Sequence, residues 1–241
     1  MLRAFAAGQF FGDTFGTGRP RVLALHGWRR SHRDFARVLD GLDALAVDLP
    51  GFGSTPEPAA PWGSAEYAAA LAPLLDEVAL PAVVLGHSFG GRVAVHLAAS
   101  RPEAVKALVL TGVPLRRIGG ASKPALSYRL ARALNRRRLV SDARMDALRE
   151  QHGSEDYRAA KGVMRDVFVR VVNESYEEEL RRIRCPVELV WGSDDTAAPL
   201  AVAKWAADVL ADAKLTVVDG AGHMTPGSIP AELRTAVERH C

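Results

Sequence analysis

The stretch Gly86-His87-Ser88-Phe89-Gly90 decides how this chain is read. Ahead of it runs Ala82-Val83-Val84-Leu85, apolar and short enough for a buried strand. Behind it runs Arg92-Val93-Ala94-Val95-His96-Leu97-Ala98-Ala99, which reads as a buried helix. A G-x-S-x-G pentapeptide between strand and helix is a sharp turn that lifts the serine clear of the strand's carboxyl end. Gly86 and Gly90 omit the Cβ atoms that would clash where strand and helix cross. Ser88 then sits at a helix N-terminus, where the dipole and free N–H groups favour developing negative charge. The context predicts an activatable hydroxyl at residue 88; without its flanks the pentapeptide would read equally well as a plain turn.

Working outward, further apolar runs at 21–25, 44–49 and 105–110 alternate with helical segments. Near-continuous apolar strands separated by helices indicate a parallel α/β sheet covered on both faces. Helices are expected over 34–42 and 65–78. Ser64 is the expected N-cap of the second, with Glu66 in its first turn and Tyr67, Leu71, Leu74, Leu75 and Val78 along one face. Two short runs before residue 16 suggest a β-hairpin. After residue 184 the alternation resumes with strands over 187–191 and 214–218 and helices over 200–210 and 230–239. Residues 114–184 interrupt it with helical patterning and no strand. The expected organisation is a core of 1–113 and 185–241, with 114–184 inserted as a helical lid. Apolar residues recur at helical spacing in the insertion, as in Tyr128, Leu130 and Leu134, and again in Val163, Val167 and Val171.

Composition sets the outer bounds. The chain has 241 residues, 48% of them hydrophobic and 24% charged, an ordinary globular balance. It has no run of eighteen apolar residues, so no membrane span is expected. Its N-terminus lacks the pattern of a secretory leader, and cytoplasm is the expected compartment. Cys185 and Cys241 are too few for a disulfide framework or a zinc site. Residues 114–184 carry 17 Lys and Arg against 10 Asp and Glu, a net of +7, while the rest carries 14 against 18, a net of −4. The basic stretch Arg129–Arg138 could draw an acidic substrate or partner, although long basic side chains usually project to water. The asymmetry is too weak and interrupted to indicate nucleic acid.

A serine hydroxyl needs a base to take its proton, and the base needs a partner to fix its tautomer. Both are available after expected strands. Asp195 follows Val190-Trp191-Gly192, and His223 follows Gly220-Ala221-Gly222. The other histidines are weaker candidates. His87 is the variable residue of the elbow and should point away from Ser88; His96 lies two turns down the helix; His32, His152 and His240 fall in a loop, the insertion and the tail. After the strand 21–25, His26-Gly27-Trp28 can bend so that the Trp28 N–H faces a ligand above the sheet. Asp48 is expected to bond backbone in its turn. The following Gly51-Phe52-Gly53 lacks the third glycine and the helix of a dinucleotide fingerprint.

Taken together, these pieces resemble the α/β-hydrolase superfamily, in its small esterase-like branch. The matching stretches are His26-Gly27-Trp28, Asp48-Leu49-Pro50-Gly51-Phe52-Gly53, the elbow, Gly192-Ser193-Asp194-Asp195 with Pro199, and Gly220-Ala221-Gly222-His223. The order Ser88, Asp195, His223 is that family's order. The resemblance implies Ser88 as nucleophile, Asp195 as acid, His223 as base, and the N–H groups of Trp28 and Phe89 as the oxyanion hole. It implies a small acyl ester or thioester as substrate, with no cofactor and no metal. Serine in the elbow disfavours the branches with an aspartate nucleophile. Lactonase, C–C bond hydrolase and a non-catalytic ligand binder share the same motifs.

Overall fold

The structure, a computed structural model, describes residues 2–116, 141, 144 and 154–241. Tyr128, Leu130, Leu134, His152 and the stretch Arg129–Arg138 lie outside the described residues.

An eight-stranded sheet forms the centre: β1 (Arg3–Phe5), β2 (Phe10–Phe15), β3 (Val22–Leu25), β4 (Ala44–Asp48), β5 (Ala82–His87), β6 (Val105–Thr111), β7 (Val187–Gly192) and β8 (Ala213–Val218). Its spatial order is β1-β2-β4-β3-β5-β6-β7-β8. The hairpin β1–β2 joins antiparallel to β4, and every other pair is parallel. The described helices are α1 (Ala36–Leu39), α2 (Ser64–Ala70), α3 (Phe89–Ser100), α4 (Glu155–Ala159), α5 (Gly162–Val171), α6 (Glu177–Arg182), α7 (Leu200–Val209), α8 (Thr225–Ser228) and α9 (Pro230–Glu238). Among the described residues no helix is long and apolar enough to cross a membrane. This is the α/β-hydrolase fold.

Alternation along the strands divides the core. Leu23 and Leu25 of β3 and Val84 of β5 face a large cluster under α2, α3 and α7. Val22, Ala24, Val83 and Leu85 face a smaller one under α1 and α9. Both faces are covered, which is why these strands read as continuous apolar runs.

Three local expectations are corrected. The expected helix over 65–78 stops at Ala70 and continues as a 3₁₀ turn over Ala72–Glu77, because Pro73 has no N–H for the next helical bond. Ser64 is the first residue of α2, and Gly63 precedes it as N-cap. The Ser64 hydroxyl instead donates to Glu174 at 2.6 Å. His32, expected in a loop, is buried and opens a 3₁₀ turn ahead of the short α1.

The described residues between β6 and β7 pack against the sheet and its helices through α5. Met164, Val167 and Val171 are buried along one face, and Val163 lies at its margin. Polar fastenings hold both ends of this region. Arg92 on α3 donates to the Val171 carbonyl at 2.7 Å, and Arg170 bonds Glu66 and the Pro61 carbonyl. At the near end, Arg29 pairs with Glu155 at 3.0 Å and Asp156 at 3.4 Å.

Candidate active site

The site lies at the carboxyl ends of β3, β5 and β7. The strand order reverses between β3 and β5, so the loops leaving them diverge and open a crevice. The β3 loop carries His26-Gly27-Trp28, and the β5 turn carries Ser88.

Ser88 has φ 49° and ψ −112°, a left-handed conformation that a non-glycine residue adopts only when its surroundings enforce it. They do. Its N–H donates to the Thr111 carbonyl at 3.0 Å, and its carbonyl accepts from Gly91 N–H at 3.1 Å. A Cβ on Gly86 would lie 2.5 Å from the Gly91 Cα, and one on Gly90 would run into the Leu25 and His26 carbonyls. The elbow glycines therefore relieve two different contacts: Gly86 meets the helix, while Gly90 meets the neighbouring strand β3.

The structure brings the three separated candidates together. Ser88 Oγ lies 3.1 Å from His223 Nε2. His223 Nδ1 lies 2.9 Å from Asp195 Oδ2 and 3.0 Å from Oδ1. A carboxylate only accepts, so Nδ1 carries the proton and Nε2 presents its lone pair to the Ser88 hydroxyl. Asp195 is buried. Its Oδ1 also accepts from the N–H groups of Ala197 at 2.9 Å and Ala198 at 2.7 Å, which fix its orientation. Asp194 is exposed and accepts from Ser193 Oγ, so only one of the adjacent carboxylates reaches His223. Gly112 closes the pair from below; a Cβ there would lie 3.2 Å from both Asp195 Oδ2 and His223 Nδ1.

Trp28 and Phe89 flank the same crevice, with their rings 5.4 Å apart. Neither N–H donates to a backbone carbonyl among the described residues, and Phe89 opens α3, where an N–H has no intrahelical partner. The bend in the β3 loop is taken by Arg29 at φ 55°, not by Gly27. The missing Cβ of Gly27 serves packing instead, since one there would lie 2.9 Å from His87 Nδ1. Around Trp28 stand Phe52 at 4.9 Å and Phe168 of α5 at 5.1 Å, ring to ring. The segment between β6 and β7 thus contributes an aromatic side chain beside the site.

Two buried histidines that sequence reading left without a role lock this geometry. His26 donates from Nδ1 to the Gly27 carbonyl at 2.7 Å and accepts at Nε2 from the Leu49 N–H at 2.9 Å. It ties the β3 loop to the end of β4. Burial pushes its pKa down to about 4, so it is neutral in this role. His32 sits on Asp48, whose Oδ1 accepts from both the His32 N–H and Nδ1 at 2.7 Å. Asp48 Oδ2 also accepts from Ser54 N–H at 2.9 Å, so the expectation that Asp48 bonds turn backbone holds. The signal for His26 was its position between two strand ends; nothing local marks His32.

Residues 22–236 match the profile of the alpha/beta hydrolase family. A pimeloyl-[acyl-carrier protein] methyl ester esterase from Chromobacterium violaceum is 30% identical over 89% of this chain and 91% of its own length. Lipase LipV from Mycobacterium tuberculosis is 47% identical over 39% of this chain and 37% of its own. Among solved structures, a thioesterase domain from the curacin biosynthetic pathway superposes with a TM-score of 0.71 at 20% identity, covering 99% of this chain and 98% of that one. At that identity the likeness concerns the fold.

Proposed function

Because this chain belongs to the alpha/beta hydrolase family, we propose that it is a serine hydrolase that cleaves a small ester or thioester through an acyl-enzyme on Ser88. The observation that carries the reading is the unbroken path Ser88 Oγ, His223, Asp195, with steps of 3.1 Å and 2.9 Å. In this reading His223 Nε2 takes the hydroxyl proton as Ser88 attacks the acyl carbonyl. Asp195, held by two backbone N–H groups, steadies the imidazolium that results. The tetrahedral oxyanion is received by the N–H groups of Trp28 and Phe89, worth about 3 kcal/mol per donor in comparable sites. His223 then protonates the leaving alcohol or thiol, and water resolves the acyl-enzyme by the reverse sequence. The chemistry is complete without a cofactor or a metal.

The relatives named as a methyl ester esterase and a lipase favour an oxygen ester over a thioester. Residues 114–184 act as a lid in this reading, and the Phe168 side chain against Trp28 supports a share in acyl selection. The test is Ser88→Ala. It should fold as the native chain does, lose fluorophosphonate labelling and fall more than about a hundredfold on a panel of p-nitrophenyl esters, since triad losses usually cost more than that. Retention of more than about a hundredth of the native rate would remove Ser88 from the reaction.

A further inference from the structure

His87 precedes Ser88, and its side chain is buried, with 1% of the residue exposed. Its Nε2 lies 2.9 Å from the carbonyl oxygen of His223. A carbonyl only accepts, so Nε2 carries the proton and Nδ1 is a bare lone pair. That Nδ1 is buried and has no partner among the described residues. It faces Gly27, where even a Cβ would crowd it at 2.9 Å. The ring is wedged between the β3 loop and the turn that carries His223, with the two imidazoles 5.1 Å apart.

A buried acceptor without a partner costs folding free energy, and an apolar side chain in the same space would avoid that cost. What the imidazole provides is the bond to the His223 backbone. The turn has other ties on either side: the Asp194 N–H bonds the Ala221 carbonyl at 3.0 Å, the Thr225 N–H also bonds the His223 carbonyl at 2.9 Å, and Thr111 Oγ1 donates to Thr225 Oγ1 at 2.7 Å. Only the His87 bond joins His223 directly to the residue beside the nucleophile.

We propose that His87 is a positioning residue: by tethering the His223 carbonyl to the elbow, it sets the reach from His223 Nε2 to Ser88 Oγ. The proposal rests on the triad reading above. Burial, and then the neighbouring His223 ring, push the His87 pKa down to about 4, against weaker opposing pulls from the bond to the His223 carbonyl and from Asp34 and Asp195. The ring is therefore neutral when His223 becomes an imidazolium, and it sets no second positive charge beside it.

The test uses the full chain with His87→Gln, His87→Asn and His87→Leu. Gln carries an amide N–H at the reach of Nε2; Asn carries one that stops short; Leu carries none. Turnover of p-nitrophenyl acetate, the rate of fluorophosphonate labelling and folding by circular dichroism are measured on each. His87→Asn and His87→Leu are expected to lose about tenfold or more in kcat and in labelling rate, with KM little changed, because small misplacements of a catalytic group cost rate rather than binding. His87→Gln is expected to stay within about threefold of the native kcat. Should His87→Leu fail to fold, the Gln and Asn pair decides. Equal kcat in Gln and Asn, or native kcat in Asn, overturns the proposal. Ser88→Ala measured alongside separates the two claims. If it stays active, the triad reading falls and His87 with it; if it is inert while His87→Asn turns over normally, positioning alone is refuted.

Discussion

Gly86→Ala is a perturbation whose consequence can be worked from the geometry. The new Cβ would lie 2.5 Å from the Gly91 Cα, 2.9 Å from its N and 3.1 Å from the Ala94 Cβ. Carbon atoms pack at about 3.5–4.0 Å, so strand and helix must part by about 1 Å. The obstacle is backbone, and no side chain can rotate away from it. Gly86 cannot retreat either, because β5 is paired on one side through Leu25 and on the other through Leu110. The N-terminus of α3 therefore moves, taking the Phe89 N–H and Ser88 with it. Overpacking of this kind costs about 1–3 kcal/mol. At about 2–4 °C per kcal/mol for a chain of this size, Tm should fall by about 2–12 °C. The rate should suffer more, since a displacement near 1 Å at a reacting group costs about a hundredfold. The assay pairs kcat on p-nitrophenyl acetate at 25 °C, where the variant remains folded, with thermal melting. Gly227→Ala is the control, because a Cβ there meets nothing within 4 Å. A Gly86→Ala protein with native kcat, and stability within the about 0.5 kcal/mol of an ordinary surface change, would refute the tight crossing.

Two further outcomes follow from the same contacts. Asp195→Asn should lower kcat by about a thousandfold or more, because the amide no longer enforces the Nδ1–H tautomer of His223; Asp194→Asn, at an exposed carboxylate, should be nearly silent, and a larger loss at Asp194 would reverse the assignment. Acid should weaken the fold through His26 and His87, both lowered from 6.5 to about 4. Between those values the unfolded chain binds these protons and the folded one does not, so stability is full above pH 6.5 and falls as pH drops, by up to about 1.4 kcal/mol per pH unit for each histidine. Urea unfolding at a series of pH values checks this. His87→Gln should flatten the slope by one histidine's share, and an unchanged slope would show that His87 is already protonated in the folded state.

Local pattern was enough for the elements that depend on local physics. The elbow follows from five residues and their flanks, and β3 to β8 follow from apolar runs within one or two residues of their observed ends. Ser88, Asp195 and His223 were legible because each sits just past such a run, and a parallel sheet gathers those ends at one edge. Which partners meet across the fold was not legible. His32 read as a loop residue among arginines because its partner, Asp48, belongs to another strand end. Ser64 had the composition of a cap, yet its hydroxyl went to Glu174, far away in the chain. Gly27 looked like a bend and proved to be the space into which His87 packs. His87 was expected to point away from Ser88, and its bond to the His223 carbonyl appears only when β5 and the loop after β8 lie side by side. Side-chain periodicity acts over a few residues and is written in the order of the letters; a hydrogen bond between distant segments depends on where the packed sheet brings their backbones, and only the tertiary structure decides that.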